Sequence, residues 1–448
     1  METDTVRTPA ADETAGLRRE QRGWYFYDWA CSVYSTSVVT VFLGPYLTAV
    51  AKRAADADGY VHPLGVPVRA GSFFAYSVSL SVIVAVVVMP IVGSAADRTG
   101  RKKPLLAAAA YTGAAATTGM FFLDGDRYLL GGALLVVANA AQSVGMMLYN
   151  SYLPQIAPPE ERDAVSSRGW AFGYAAGSTV LVANLVLYSG HDSFGLSETA
   201  AVRICLASAG LWWGAFTLVP LRRLRDRHVR VERGTAPGLR QLAATVRDMR
   251  RYPLTLAFLL AYLIYNDGIQ TVITQASVYG SQELGLSQST LIVAVLLVQV
   301  LAVAGALAMG RLARTYGAQR TILGSLVAWT VTLAAGYFLP AKAPVFFFVL
   351  AAGIGLVLGG SQALSRSLFS HLVPPGKEAE YFSAYEMSDR GMSWLGPLLF
   401  GVTYQLTGSY RSAIISLVAF FVIGFTLLAR VPVRRAIGEA GNPVPERI

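Results

Sequence analysis

Apolar residues in this chain gather into about twelve blocks, each about 20 residues long, the length a helix needs to cross a hydrocarbon layer about 30 Å thick. Runs such as Ser79 to Met89 do not alternate apolar and polar residues, so they do not fit the strands of a membrane barrel, and helices are the spanning form that remains. Of the 448 residues 54% are hydrophobic and 14% charged, against about 25% charged in soluble domains. These features predict an all-α integral membrane protein with twelve transmembrane helices. Cys31 and Cys205 fall inside apolar blocks, which supports neither a disulfide framework nor a zinc site.

The net charge of +10 raises the question of nucleic acid, and its distribution answers it. Assigned to the nearer helix end, 29 of the 37 Lys and Arg fall on one face and 7 on the other, with Arg390 inside the eleventh span. By the positive-inside rule both termini are expected in the cytoplasm, and the basicity records orientation rather than DNA binding. Ten arginines lie in residues 221–252, interrupted by Gly234, Pro237 and Gly238; this stretch is expected to be a cytoplasmic linker lying on anionic headgroups. No cleavable signal peptide is expected, and Met1 to Glu20 read as a disordered tail.

Two loops recur at one spacing. GSAADRTGRKK from Gly93 and GRLARTYGAQR from Gly310 lie 217 positions apart, and the paired prolines that begin at Pro158 and Pro374 lie 216 apart. A duplicated six-helix unit follows, and parallel repeats of this kind form a transporter architecture with the cavity between the halves. The expected organisation is a tail (1–22), a first six-helix bundle (23–220), the linker (221–252), a pseudo-symmetric second bundle (253–430) and a C-terminal tail (431–448).

Gly93, Asp97, Arg98, Gly100, Arg101 and Lys102 resemble the loop motif of the major facilitator superfamily, which implies that fold and, for these residues, a conformational latch. A topology determinant alone is the other reading of the same residues. The second copy carries Arg314 where the first has Asp97. WYFYDWACSVYST in the first span, YNDGIQTVI from Tyr265, GGSQALSRSLFSHLVP from Gly359 and EYFSAYEMSDRGMSWLGPLLFG from Glu380 resemble the vacuolar amino-acid effluxer family and its bacterial relatives, over about Gly23 to Arg430. That resemblance implies transport, with amino-acid efflux as the best-known activity. Cys31 stands where the family usually has Asn, so one side chain able to hydrogen-bond a substrate is absent.

Four carboxylates fall inside predicted helices, Asp28, Asp267, Glu386 and Asp389, where a charge at the helix centre costs at least about 2.5 kcal/mol. Asp267 is the leading candidate for a proton or cation site, with a neutral or hydrogen-bonded structural Asp paired with Asn266 or a facing helix as the other reading. Asp28, expected roughly 6 Å into the first span, is the second candidate, or a helix-start Asp favoured by the macrodipole. Glu386 and Arg390, four apart, share a face and form an expected gating pair. Asn139, Gln142, Ser143, Met146, Tyr149 and Asn150 make a polar stripe that either lines the cavity or bonds helix to helix; Asn266, Gln299, Ser361, Gln362 and Arg366 belong to the same class.

No GxxxxGK[ST] run occurs, so an ATP-driven pump is not supported. His62, His191, His228 and His371 form no metal constellation in the sequence, and neither cofactor nor metal is expected. Gly353, Gly355, Gly359 and Gly360 are expected to let the halves pack closely and rock. The sequence predicts a secondary carrier for a small polar solute, with protons or another ion as coupling partner. A drug or sugar exporter, or a nontransporting receptor or lipid-handling protein on the same scaffold, remains open. Arg far outnumbers Lys and Ala is abundant, as in a GC-rich bacterial genome, which favours a bacterial plasma membrane.

Overall fold

The computed structural model describes residues 11–157, 162–226, 247, 250–374, 381, 385 and 393–442. The first helix, α1, runs without interruption through Ala11–Val33, a π-helical stretch Tyr34–Phe42, and Leu43–Arg53. Then come a short antiparallel hairpin, β1 (Tyr60–Val61) with β2 (Val68–Arg69), and the helices α2 (Phe73–Thr99), α3 (Lys102–Gly119), α4 (Tyr128–Asn150), α5 (Arg162–Ser189) and α6 (Glu198–Arg223). The second half holds α7 (Pro253–Val278, prolonged by a π turn Tyr279–Glu283), α8 (Gln288–Tyr316), α9 (Ala318–Tyr337), α10 (Pro344–His371), α11 (Leu395–Thr407) and α12 (Tyr410–Ser416 and Val418–Arg430). A short α13 (Val433–Glu439) follows.

Ten of these helices are long and apolar enough to cross a membrane. The two remaining predicted spans are occupied by α9 and by α11, whose predicted beginning at Ala384 falls largely outside the described residues. Apolar side chains at helical spacing, such as Leu80, Val87 and Ile91 on α2 or Val300, Val303 and Leu307 on α8, are exposed. An outward apolar stripe is what a lipid-facing helix requires.

Both ends depart from the expected tails. The helix begins at Ala11, well before the predicted start at Trp24, and Glu20 and Gln21 are buried, the Gln21 Nε2 donating to Ile156 O at 2.9 Å. Ala, Glu and Arg are good helix formers, so the backbone continues through Arg18, Arg19 and Arg22, where hydropathy alone reads a loop. At the other end Val433, Ala436 and Ile437 are buried, and Asn442 Nδ2 donates to His371 O and Val373 O at 2.9 and 2.7 Å.

The glycines of α10 do close packing, but within the second bundle rather than between bundles. A Cβ at Gly359 would strike the Ala302 carbonyl of α8, one at Gly305 the Leu356 backbone of α10, and one at Gly355 would lie 2.9 Å from Val298 O. Backbones touch there because the side chains are absent.

The two bundles meet at the face opposite the chain ends. Lys52 Nζ donates to Gln282 Oε1 at 2.9 Å, Arg69 N to Gln405 Oε1 at 2.8 Å, Ser72 Oγ to Gly401 O at 2.9 Å and Tyr410 OH to Gly71 O at 3.3 Å. Ser189 and Ser289 hydroxyls lie 3.1 Å apart. One layer deeper, Ser277 Oγ donates to Thr40 O at 2.5 Å and Gln288 Nε2 to Val41 O at 3.0 Å.

Candidate functional site

Asp28 lies 12 positions beyond Gly16, where the span begins, about 18 Å along the helix at 1.5 Å per residue. It lies five residues beyond Gly23, which packs on Arg223 in the last turn of α6, and the helix-start reading falls because the helix reaches back to Ala11. The side chain is 8% exposed, and Tyr149 OH donates to its Oδ2 at 2.5 Å. Tyr149 is itself held: the Trp24 ring stacks on it at 4.1 Å between centroids, and Trp24 Nε1 donates to its carbonyl at 3.0 Å.

Helix α5 closes over this pair on a strip the sequence reading passed over. A Cβ at Gly169 would lie 2.6 Å from Asp28 Oδ2, one at Gly173 2.5 Å from Ser32 Oγ and one at Gly177 2.7 Å from Thr36 Oγ1. Gly169, Gly173 and Gly177 recur every four residues, the small-xxx-small spacing that lets membrane helices approach, and that spacing was the available signal.

The polar stripe of α4 is spent largely on neighbouring helices. Gln142 Nε2 donates to Ser35 Oγ at 2.6 Å, Asn139 Nδ2 to Ser81 Oγ at 2.7 Å, and Cys31 Sγ lies 3.6 Å from Met146 Sδ. Tyr149 is the member brought to a carboxylate, while Asn150 is half-buried at the helix end.

Asp267 lies 14 positions after Pro253, about 21 Å along α7, and is 1% exposed. Its Oδ2 accepts from Gly396 N at 2.8 Å. Gly396 is in the first turn of α11, so the carboxylate meets the positive end of a helix dipole. A Cβ at Gly396 would strike Thr271 Oγ1, whose hydroxyl donates to Asp267 O at 2.8 Å. Of the alternative partners, a facing helix is thus at hand; Asn266 Oδ1 accepts from Gln362 Nε2 at 3.4 Å, and Tyr265 OH lies 2.5 Å from Ser365 Oγ. Arg366 is exposed on α10. Glu386, Asp389 and Arg390 lie outside the described residues.

In the loop after α2, Gly100 takes a left-handed φ of 64° and ends the helix, as a glycine there allows. A Cβ at Gly93 would meet Met147 at 3.5 Å. Arg101 is exposed, and Lys102 Nζ donates to Ser151 O at 3.2 Å; the side chains of Asp97 and Arg98 are outside the described set. An acid does serve the start of α3, and it comes from after α6: Asp226 Oδ1 accepts from Lys103 N and from Tyr152 OH, both at 2.9 Å. Burial first, then that hydrogen bond and the carboxylate's charge, push the Tyr152 phenol well up from its ordinary range, so it stays a donor. Sequence reading took Asp226 for one residue of a basic linker. Among the described residues no group of three or more His, Cys, Asp or Glu gathers as a metal site.

The family model described as "Vacuole effluxer Atg22 like" matches residues 16–441. An uncharacterized MFS-type transporter of Bacillus subtilis, YxiO, is 30% identical over 95% of this chain and 98% of its own length. Autophagy-related protein 22-1 of Aspergillus niger is 24% identical over 96% and 91%. Among solved structures, the nucleoside transporter NupG superposes with a TM-score of 0.67 at 14% identity, covering 92% of this chain and 98% of that one. A D-xylose–proton symporter superposes with a TM-score of 0.64 at 12% identity, covering 94% and 98%. These structural likenesses carry the fold, and the match across residues 16–441 carries the family: the chain belongs to the vacuole effluxer Atg22-like family and is an MFS-type transporter.

Proposed function

We propose that this transporter is a secondary carrier that moves a small polar solute, an amino acid first, by rocker-switch alternating access coupled to protons. The observation that carries the reading is a buried carboxylate in each bundle, Asp28 bonded to Tyr149 of α4 and Asp267 bonded to the start of α11. Rocking of one bundle against the other keeps these bonds within each bundle but alternately opens and closes the carboxylate to water, and so lets it load a proton in one state and release it in another. With the charge asymmetry read as cytoplasmic termini, the seam between bundles lies on the outer face and the cavity opens inward. The family description speaks of efflux, which supports export, here across a bacterial plasma membrane.

On this reading Gly93, Asp97, Arg98, Gly100, Arg101 and Lys102 act as the latch of the alternate state, Glu386 and Arg390 as a gating pair, and linker 221–252 rests on anionic lipid. Asn139, Gln142, Asn150, Asn266 and Gln362 exchange helix partners for solute as the cavity changes shape.

Proteoliposomes loaded with a labelled amino-acid panel test it. Flux of at least one member is expected to follow an imposed pH gradient, and Asp267→Asn is expected to abolish gradient-driven flux while leaving exchange. Gradient-independent flux of an amino acid removes the proton; flux of a sugar or drug alone removes the substrate class.

A further inference from the structure

A cavity of about 300 Å³ at the face that carries the chain ends is lined by Gly16, Arg19, Glu20, Arg222, Arg223 and Arg225. Resting in part on the lipid contact proposed above for residues 221–252, and going beyond it to a defined site, we propose that this cavity binds a phosphate-bearing anion. Four arginines and one glutamate line it, a net excess of positive charge, and guanidinium forks match phosphate oxygens two at a time. The volume takes a phosphate with several attached atoms and leaves a halide loosely held.

The walls are built from both ends of the first bundle. Gly23 lets α1 pass so close to α6 that a Cβ there would lie 2.6 Å from Arg223 Cβ. Gln21 is pinned to Ile156 O. Asp226 fixes the chain just after Arg225 to Lys103 N and Tyr152 OH. The negative end of the α6 dipole accounts for Arg222 and Arg223 in its last turn, while Arg19, about two turns into α1, is brought beside them by the packing of Gly23 on Arg223. The cavity also sits beside the end of α6, Arg223 closing a helix long and apolar enough to cross a membrane, where a lipid phosphate is within reach of basic side chains.

A lipid headgroup and free phosphate share this chemistry, and the experiment separates them. Purified full-length protein is placed in phosphatidylcholine nanodiscs and titrated with phosphatidylglycerol in one arm and with inorganic phosphate in the other; binding is read by native mass spectrometry and by the shift in melting midpoint. Compared are the wild type, Arg19→Gln/Arg222→Gln, the fork-removing Arg222→Lys, and Arg127→Gln on the opposite face; Arg223 is left intact because it packs on Gly23. In at least one arm the double variant is expected to bind about tenfold more weakly or worse, Arg222→Lys to fall between, and Arg127→Gln to match the wild type. A response in the phosphatidylglycerol arm alone identifies a lipid headgroup, and one with inorganic phosphate identifies a soluble anion. Equal binding by the wild type and both pocket variants in both arms, or equal weakening by Arg127→Gln, overturns the proposal. If the double variant does not fold, Arg222→Lys against Arg127→Gln decides alone.

Discussion

Tyr149 gives Asp28 its hydrogen bond, and Tyr149→Phe removes that donor while keeping the ring against Trp24. A buried carboxylate left short of a donor costs about 1–3 kcal/mol, so Tyr149→Phe is expected to lower the melting midpoint of purified protein by several degrees, and Trp24→Phe, which loses the Nε1 donor to the Tyr149 carbonyl and leaves a cavity, at least as much. Gly169→Val would thrust atoms into the same carboxylate and is expected to cost stability on the scale of core overpacking, about 1–3 kcal/mol, seen as loss of folded yield. At this scale the place of Asp267 along its helix was legible, since that helix begins at Pro253 as the sequence reads. The stretch before Asp28 was not, because the charged turns that precede Trp24 are helical for backbone reasons that hydropathy does not register. Asp226 was hidden by its neighbours: a single acid among arginines looks like linker until its partners on α3 and beyond α4 are known.

Helices differ in how much of their packing the sequence announces. The twelve blocks and their duplication are written in side-chain polarity, and the fold follows them. The π-helical turn of α1 is written nowhere comparable: it shows only in the fold, where Thr40 Oγ1 reaches Ser35 O at 2.9 Å and Thr40 O accepts from Ser277 of α7. Such wide turns free backbone groups and tend to occur at functional sites. The crossing of α8 and α10 makes a clean comparison. Gly305→Ala places a Cβ against the Leu356 backbone, whereas Gly324→Ala on α9 meets nothing within 4 Å. The first is expected to lower the melting midpoint, and the second to raise it slightly, since Ala is favoured over Gly in a helix by about 0.5–1 kcal/mol.

For the whole molecule the question is which face opens. Ser189 and Ser289 belong to different bundles and their hydroxyls are 3.1 Å apart, so a Ser189→Cys/Ser289→Cys variant has the reach for a disulfide. Oxidation is expected to trap the seam shut and stop flux, and reductant to restore it; flux unchanged with the cross-link formed would mean that this seam need not part. Cysteines introduced at Arg250 and Gly195 are expected to react with impermeant reagents from opposite sides of the membrane. The charge asymmetry is what sets this expected orientation, whereas the face of closure was not legible in the sequence, because a seam is a relation between residues hundreds of positions apart.

Helix α1 is one rod from Gly16 to Arg53, 38 residues and about 57 Å. One tip borders the arginine cavity and the other carries Lys52, tied to Gln282. A stiff lever of that length tilting by about 10° about its midpoint swings each tip by about 5 Å, more than any hydrogen bond at the far tip survives. Whatever grips the handle of this lever beside the arginine cavity thereby sets the strain on the opposite door.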